Sequence, residues 1–350
     1  MAAHCWLAHS KMLSDELNAY PGLDRIRRLL MTEIAGRIVQ DAQHLHPHFA
    51  GQRLDLIFPI WHNHHHIANK LNYNMKGLIM LELDQHFTHD GQSIAWGSLG
   101  QGEPIILVHG FPWSAQAWRK IAPWLARTHE VFFFDMLGTG QSEKRAGQNV
   151  TESVQSDLLE ALIGHWAIER PQVVGHDFGG LAALRGHFVN GVEYSKLHLI
   201  NAVAVLPSGS PFYAHVANHE AAFSGLPDYA HEALFRAYIQ NAAHYPLREE
   251  SIQLYFDPWS GEEGKAAFYR QIAQANTANI DEAQRCYGKT DFNIHLIWGE
   301  RDTFIPISQG KELQQLVDAK SFTPIPDAAH IGHEDAPEAL LGALLKNICD

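Results

Sequence analysis

The stretch Val173-Val174-Gly175-His176-Asp177-Phe178-Gly179-Gly180 constrains this chain more than any other. An apolar, strand-like run ends on Gly-x-Asp-x-Gly-Gly, and Leu181-Ala182-Ala183-Leu184-Arg185 then opens a helical pattern. Asp177 therefore stands where a strand turns sharply into a helix, a layout that presents a nucleophile at the edge of a sheet. Gly175, Gly179 and Gly180 suit such a turn, because a helix packed hard on a strand leaves little room for a Cβ. A carboxylate with a reference pKa near ~3.9 is ionised at neutral pH and needs no base to activate it, so it suits displacement at saturated carbon. The same residues also fit a plain turn whose Asp bonds its own backbone. The remainder of the chain decides between the two.

The chain has 350 residues, 46% of them hydrophobic, enough to bury a large core. A net charge of -13 disfavours nucleic acid as a partner, since phosphate binding needs clustered Lys and Arg. Cys5, Cys286 and Cys349 are few and far apart, so neither a disulfide framework nor a Cys-based zinc site is expected, and a reducing cytoplasm fits best. No apolar run approaches the ~20 residues of a membrane span, and His4, His9 and Lys11 break up any signal-peptide core.

Residues 1–79 read as a separate extension. They hold eight Lys and Arg against six Asp and Glu, a net of +2, whereas residues 80–350 hold 18 against 33, a net of -15. Leu23, Ile26, Leu29, Leu30, Ile34 and Ile38 predict one amphipathic helix, more simply a docking helix than a membrane-binding one. His44, His46 and His48, followed by His62, His64, His65 and His66, are Zn²⁺ or Ni²⁺ ligand types, but they lack regular spacing and a carboxylate partner, so no metal site is assigned. Met75 and Met80 lie just before the first clear strand, which makes an internal start of the folded domain an expectation.

From residue 80 the pattern is rhythmic. Two strand-like runs flank His89-Asp90-Gly91-Gln92, a hairpin signal. Buried strands are expected at Ile105-Val108, Val131-Phe134, Val173-Val174 and Leu197-Val205, separated by helical runs, one containing Trp118 and Arg119 and one capped by Thr151. This alternation predicts an α/β fold with a mostly parallel central sheet flanked by helices. The rhythm stops over residues 207–290, which read as a helical cap inserted between two core segments, 80–206 and 291–350. It resumes at Ile294-Trp298, followed by Gly299-Glu300-Arg301-Asp302, and at Ser321-Ile325, followed by Asp327-Ala328-Ala329-His330. A helix over Pro337 to Ile348 closes the domain.

Asp177, Asp302 and His330 each follow a strand, in the nucleophile, acid, histidine order of the α/β-hydrolase fold. The chain here resembles the α/β-hydrolase superfamily over residues 80–350, and within it the aspartate-nucleophile branch of epoxide hydrolases and haloalkane dehalogenases. The matching pieces are His109-Gly110-Phe111-Pro112 with Trp118-Arg119, Asp135-x-x-Gly-x-Gly-x-Ser142, Gly175-His176-Asp177-x-Gly179-Gly180, Gly299-Glu300-Arg301-Asp302, and His330-x-x-x-Glu334-Asp335-Ala336-Pro337-Glu338. The resemblance implies that Asp177 attacks carbon to form an alkyl-enzyme ester. His330, oriented by Asp302, then draws a proton from the water that hydrolyses the ester, while backbone N–H groups of Phe111 and Phe178 hold the oxyanion. It implies no organic or metal cofactor. His333 is a rival base, but His330 has the motif's spacing to Glu334 and Pro337; His176 reads as a packed neighbour.

Departures from the family patterns bear on substrate. Haloalkane dehalogenases place a Trp directly after the nucleophile to hold the halide, and Phe178 has no such donor. The arginines of fluoroacetate dehalogenases, one and four positions after the nucleophile, are here Phe178 and Leu181. Epoxide hydrolases use cap tyrosines to protonate the opening ring. Tyr269, in Ala267-Phe268-Tyr269-Arg270, matches one of them, while the second falls near Phe223, with Tyr213 as a substitute. The expectation is a cytoplasmic hydrolase opening an epoxide on a small apolar molecule. The alternatives are a dehalogenase using Trp113 or Trp259 as halide donors, and a non-catalytic ligand-binding relative that keeps the triad.

Overall fold

The computed structural model describes residues 71–73 and 79–350. The expected amphipathic helix around Leu23 to Ile38 and the His-rich tract from His44 to His66 lie outside the described residues. Strand β1 (Leu71–Tyr73) pairs antiparallel with β2 (Ile79–Leu81), so ordered pairing reaches back across the expected boundary at residue 79.

Strand β3 (Gln85–His89) turns back into β4 (Gln92–Gly100) through Asp90 and Gly91, both at positive φ (48° and 72°), the two-residue hairpin that Asp-Gly favours. Then follow β5 (Glu103–Val108), a 3₁₀ helix (Ala115–Lys120), α1 (Ala122–Leu125) and β6 (His129–Phe134). Next come α2 (Glu152–His165), β7 (Gln172–His176), α3 (Phe178–Phe188) and β8 (Lys196–Ile200). Thr151 occupies the N-cap of α2 without making the expected cap bond; its hydroxyl donates instead to Asn149 Oδ1 at 2.9 Å.

The eight-stranded sheet runs β10-β9-β8-β7-β5-β6-β4-β3, parallel except where β4 meets β3 and β6. The continuous apolar runs of its inner strands are explained by two buried faces. Ile106 and Val108 pack with Leu158, Leu162, Leu181 and Leu184 of α2 and α3, while Ile105 and Leu107 pack with Trp118 and Leu125 on the other side. From β5 the chain proceeds to β6 on one side and then to β7 on the other, so the strand order reverses at β5, the place where open α/β sheets build their sites.

The segment between β8 and β9 (Asn293–Gly299) contains helices and no strand: α4 (Pro211–Ser224), α5 (Asp228–Asn241), α6 (Glu249–Phe256), a 3₁₀ turn (Asp257–Trp259), α7 (Gly261–Gln274) and α8 (Thr277–Cys286). Its aromatic core, including Phe235, Phe256 and Phe268, closes onto Phe111 and Trp113 of the loop after β5. The chain ends with α9 (Ile307–Leu316), β10 (Ser321–Ile325), α10 (Gly332–Asp335) and α11 (Pro337–Cys349). No helix among the described residues is long and apolar enough to cross a membrane.

Strand β8 is shorter than the apolar run Leu197-Val205 predicts. It stops at Ile200 because Asn201 takes a left-handed backbone (φ 43°), a conformation asparagine tolerates better than most residues. That turn leaves the Asn201 side chain at the end of the sheet, where it has work to do.

Candidate active site

Asp177 sits between β7 and α3 with φ 54° and ψ -123°, a strained conformation costing on the order of 1–3 kcal/mol. Neighbouring backbone holds it there: Asp177 N–H donates to Ile200 O (3.2 Å), and Asp177 O accepts from Gly180 N (3.0 Å) and Val203 N (3.1 Å). Two glycines make the close approach possible. A Cβ on Gly179 would strike the carbonyl of Val108, and one on Gly110 would strike the Asp177 carboxylate itself. Phe111 N–H consequently reaches Asp177 Oδ2 at 2.9 Å.

On the other side of the carboxylate, His330 Nε2 lies 3.4 Å from Asp177 Oδ1, and His330 Nδ1 donates to Asp302 Oδ2 at 2.9 Å. Asp302 is fully engaged: Oδ2 also accepts from Asn201 Nδ2 (2.6 Å), and Oδ1 accepts from the N–H groups of Phe304 (2.8 Å) and Ile305 (3.0 Å). Burial alone would raise the Asp302 carboxyl, but imidazole and hydrogen-bond donors outweigh it and hold the group below its ordinary value. Burial opposes a charged His330, yet Asp302 and Asp177 together keep its pKa well above that of a free histidine. Asn201 was missed from sequence. Its signal was a polar residue directly after Leu199-Ile200 at a parallel strand's carboxyl end, where Asp177 and Asp302 also follow strands.

The loop carrying His330 is stitched on three sides. His176 Nε2 donates to His330 O (2.9 Å), Ile331 N–H donates to Ala242 O just past α5 (3.0 Å), and Asp335 accepts from Ala329 N, His244 N and Tyr245 N at 2.9–3.1 Å. His333 has no hydrogen-bond partner on either nitrogen and packs edge-on against Trp118 and His176. Of the two histidines in this loop, only His330 meets Asp302. Glu334 forms a buried hub instead, bound by Arg119 (2.6 Å), Lys120 (2.6 Å), Tyr255 Oη (2.7 Å) and Ser251 Oγ (3.2 Å), which ties the 3₁₀ helix to α6.

The tyrosines are distributed differently from the sequence-based expectation. Tyr269 Oη donates to His231 Nδ1 at 3.0 Å, because His231 Nε2 bonds the carbonyl of Trp259 (3.0 Å) and leaves Nδ1 as an acceptor. Its proton is therefore committed, and burial alone pushes the phenol up to about 12. Tyr213 Oη instead lies 3.2 Å from Tyr238 Oη, and the Tyr213 ring stacks on Phe178 with centroids 6.5 Å apart. Burial raises both of these phenols, and the Asp177 charge raises them further. Tyr238 was not singled out from sequence. Its only mark, a tyrosine on the helix Asp228–Asn241, does not distinguish it from Tyr229 on the same helix, which is exposed. Of the tryptophans, Trp259 Nε1 is spent on Pro112 O (2.8 Å), whereas Trp113 Nε1 is buried without a partner beside Tyr255. Among the described residues there is no cluster of three or more His, Cys, Asp or Glu suited to a metal ion.

The comparisons agree with this architecture. The model of the alpha/beta hydrolase family matches residues 105–343. A solved alpha/beta hydrolase fold protein from Burkholderia ambifaria is 49% identical with a TM-score of 0.75, covering 76% of this chain and 98% of its own. A soluble epoxide hydrolase from a Corynebacterium species is 30% identical over 145 residues, 40% of this chain and 50% of that protein, so the match spans about half of the relative's length. A haloalkane dehalogenase from Agrobacterium tumefaciens shares the fold at 18% identity and a TM-score of 0.63, covering 76% of this chain and 96% of its own. With more than half of its length matched by the family model and this strand order beneath it, the chain belongs to the alpha/beta hydrolase family.

Proposed function

We propose that this hydrolase opens an epoxide on a small, largely apolar molecule to a diol through a covalent ester on Asp177. The observation that carries the reading is the Tyr213–Tyr238 hydroxyl pair, whose Tyr213 ring stacks on Phe178, the residue after Asp177. Asp177 Oδ1 attacks the epoxide carbon while Oδ2 rests on Phe111 N–H. The departing epoxide oxygen takes a proton from the tyrosine pair, because an unprotonated alkoxide is a poor leaving group. Once Asp177 is esterified its negative charge is gone, and with it part of what kept His330 protonated. His330 passes its proton to the tyrosinate left by ring opening, and the neutral imidazole then accepts a proton from water, whose oxygen attacks the ester carbonyl. As the ester C–O bond breaks, the leaving oxygen takes the proton of the new carboxyl. Phe111 N–H, and Phe178 N–H at the start of α3, stabilise the oxyanion before Asp177 and the diol separate.

Trp113 supports one second reading. Its indole nitrogen is buried without a partner, and a dehalogenase would aim such a donor at the leaving halide. A paired turnover screen with aryl epoxides and bromoalkanes, following diol and bromide separately, tests both. Diol without bromide supports the epoxide reading, bromide without diol transfers the site to carbon–halogen chemistry, and neither product favours a binding role.

A further inference from the structure

A cavity borders the two residues that flank the nucleophile. Its apolar walls are Phe111, Phe178, Met136 and Val150, and its polar lining includes Glu152, Gln155 and Gln271. Both amides are engaged by the backbone of Leu137: Gln155 Oε1 accepts from Leu137 N (3.1 Å), while Gln155 Nε2 and Gln271 Nε2 donate to Leu137 O (3.0 Å each). Glu152 is the charged group of the lining, and no Lys, Arg or His joins it there among the described residues.

Glu152 Oε1 accepts from Asn276 N (2.8 Å) and Oε2 from Asn279 Nδ2 (2.7 Å), which staples α2 to the start of α8. One donor per oxygen leaves acceptor capacity on each. The cation behind it, Arg185, is occupied elsewhere, by Asn279 O at 2.7 Å and Glu282 at 2.9 Å. Phe111 and Phe178 connect this cavity with the reaction centre, since Phe111 N–H bonds Asp177 Oδ2 (2.9 Å) and Phe178 follows Asp177 in the chain. A substrate group entering the cavity thus meets the Glu152 carboxylate and an apolar wall, with the Asp177 carboxylate next to Phe111 and Phe178 of that wall. In such a place a third negative charge is penalised by desolvation and by repulsion, whereas a cation or donor regains what it loses in water.

We infer that Glu152 sets the charge class of the substrate: the site takes electrophiles whose far end is a cationic or hydrogen-bond-donating group, accepts uncharged ones, and rejects those bearing a carboxylate. The inference rests on the proposed function for the chemistry at Asp177 and adds the selectivity of the same cavity.

The test uses three epoxides of matched shape: glycidyltrimethylammonium, its uncharged tert-butyl isostere, and the analogue carrying a carboxylate in that place. The carboxylate should fall at least about tenfold below the uncharged compound in kcat/KM, with the cation at or above it. Glu152→Gln keeps an acceptor for Asn276, lets the Asn279 amide turn its oxygen to the new NH₂, and should shrink the spread at least about threefold. Equal turnover of all three, or a spread unchanged in the variant, overturns the inference. Calorimetric titration of saturated, epoxide-free analogues reads the same charge order without chemistry. Absence of turnover with that order intact would defeat the epoxide reading alone, and absence of the order would defeat this one. If the variant does not fold, the wild type decides: burial raises the Glu152 carboxyl above its ordinary value, so the cation-to-anion ratio must grow as pH rises through its ionisation, and a flat ratio refutes it.

Discussion

The sheet and the helical insertion present their functional groups in opposite ways. At the carboxyl ends of β7, β8 and β9, Asp177, Asn201 and Asp302 stand on adjacent parallel strands, and every carboxylate oxygen of Asp302 is loaded with donors. In the insertion, by contrast, Tyr213 and Tyr238 come from two different helices and meet only because an aromatic core packs α4 and α5 against Phe178. Strand topology delivers the chemistry with little dependence on side-chain packing. Packing delivers what the chemistry acts on.

The comparison breaks most visibly at Asp177. Asp177→Asn should lower turnover at least roughly ten-thousandfold, because an amide is neither charged nor nucleophilic; steady-state rates near wild type would remove the carboxylate mechanism. His330→Gln should block the second half of the reaction and let the ester accumulate. Intact-mass spectra after mixing with substrate should gain one substrate mass, and an unmodified spectrum from a folded variant speaks against two-step chemistry.

On the insertion side, Tyr213→Phe and Tyr238→Phe should each slow diol formation by about a hundredfold, as expected for loss of a general acid, while Tyr269→Phe changes it by only a few fold. The reverse order would return the role to Tyr269 and show that the His231 bond opens during turnover.

Where the two regions join, Glu334→Gln leaves Arg119 buried without its carboxylate. It should cost about 3–5 kcal/mol, read as a drop in the urea midpoint at unchanged slope. Arg119 and Lys120 hold the Glu334 carboxyl down at about 2 against burial, which by itself would raise it.

The smallest effect concerns acid. Burial, reinforced by a neighbouring histidine in each case, pushes His176 down to about 4 and His198 down to about 3, so the folded chain resists protons that the unfolded chain accepts below its ordinary value near 6.5. Stability is therefore lost as pH falls from about 6.5 toward those lowered values, by up to roughly 2 kcal/mol per site at pH 5. Denaturation midpoints of wild type and His198→Gln at the two pH values should converge on acidification, and parallel losses would exclude His198 as a contributor.

Much of the fold was legible because both faces of the sheet are covered. Ile105-Val108 and Val131-Phe134 therefore read as uninterrupted apolar runs, and the polar residue after each, His109 and Asp135, marks a strand end. Asn201 was hidden by the apolar stretch that follows it, since Ala202 to Val205 are buried for reasons other than strand pairing. Tyr269 stood out in sequence through the Tyr-Arg element, but nothing local to that element shows that His231, 38 residues earlier, takes its hydroxyl.

By itself the sequence determined the element order, the sharp turn at Asp177 and the placement of Asp302 and His330 after strands, because periodicity, glycine placement and strand ends are local properties of a chain. Only the tertiary structure decided which tyrosine hydroxyls meet each other beside Phe178, which indole is spent, and that Glu152 lines the cavity bordered by Phe111 and Phe178. Each of these depends on distances between helices far apart in sequence, and those distances are set by how the aromatic core of the insertion fills the space above the sheet.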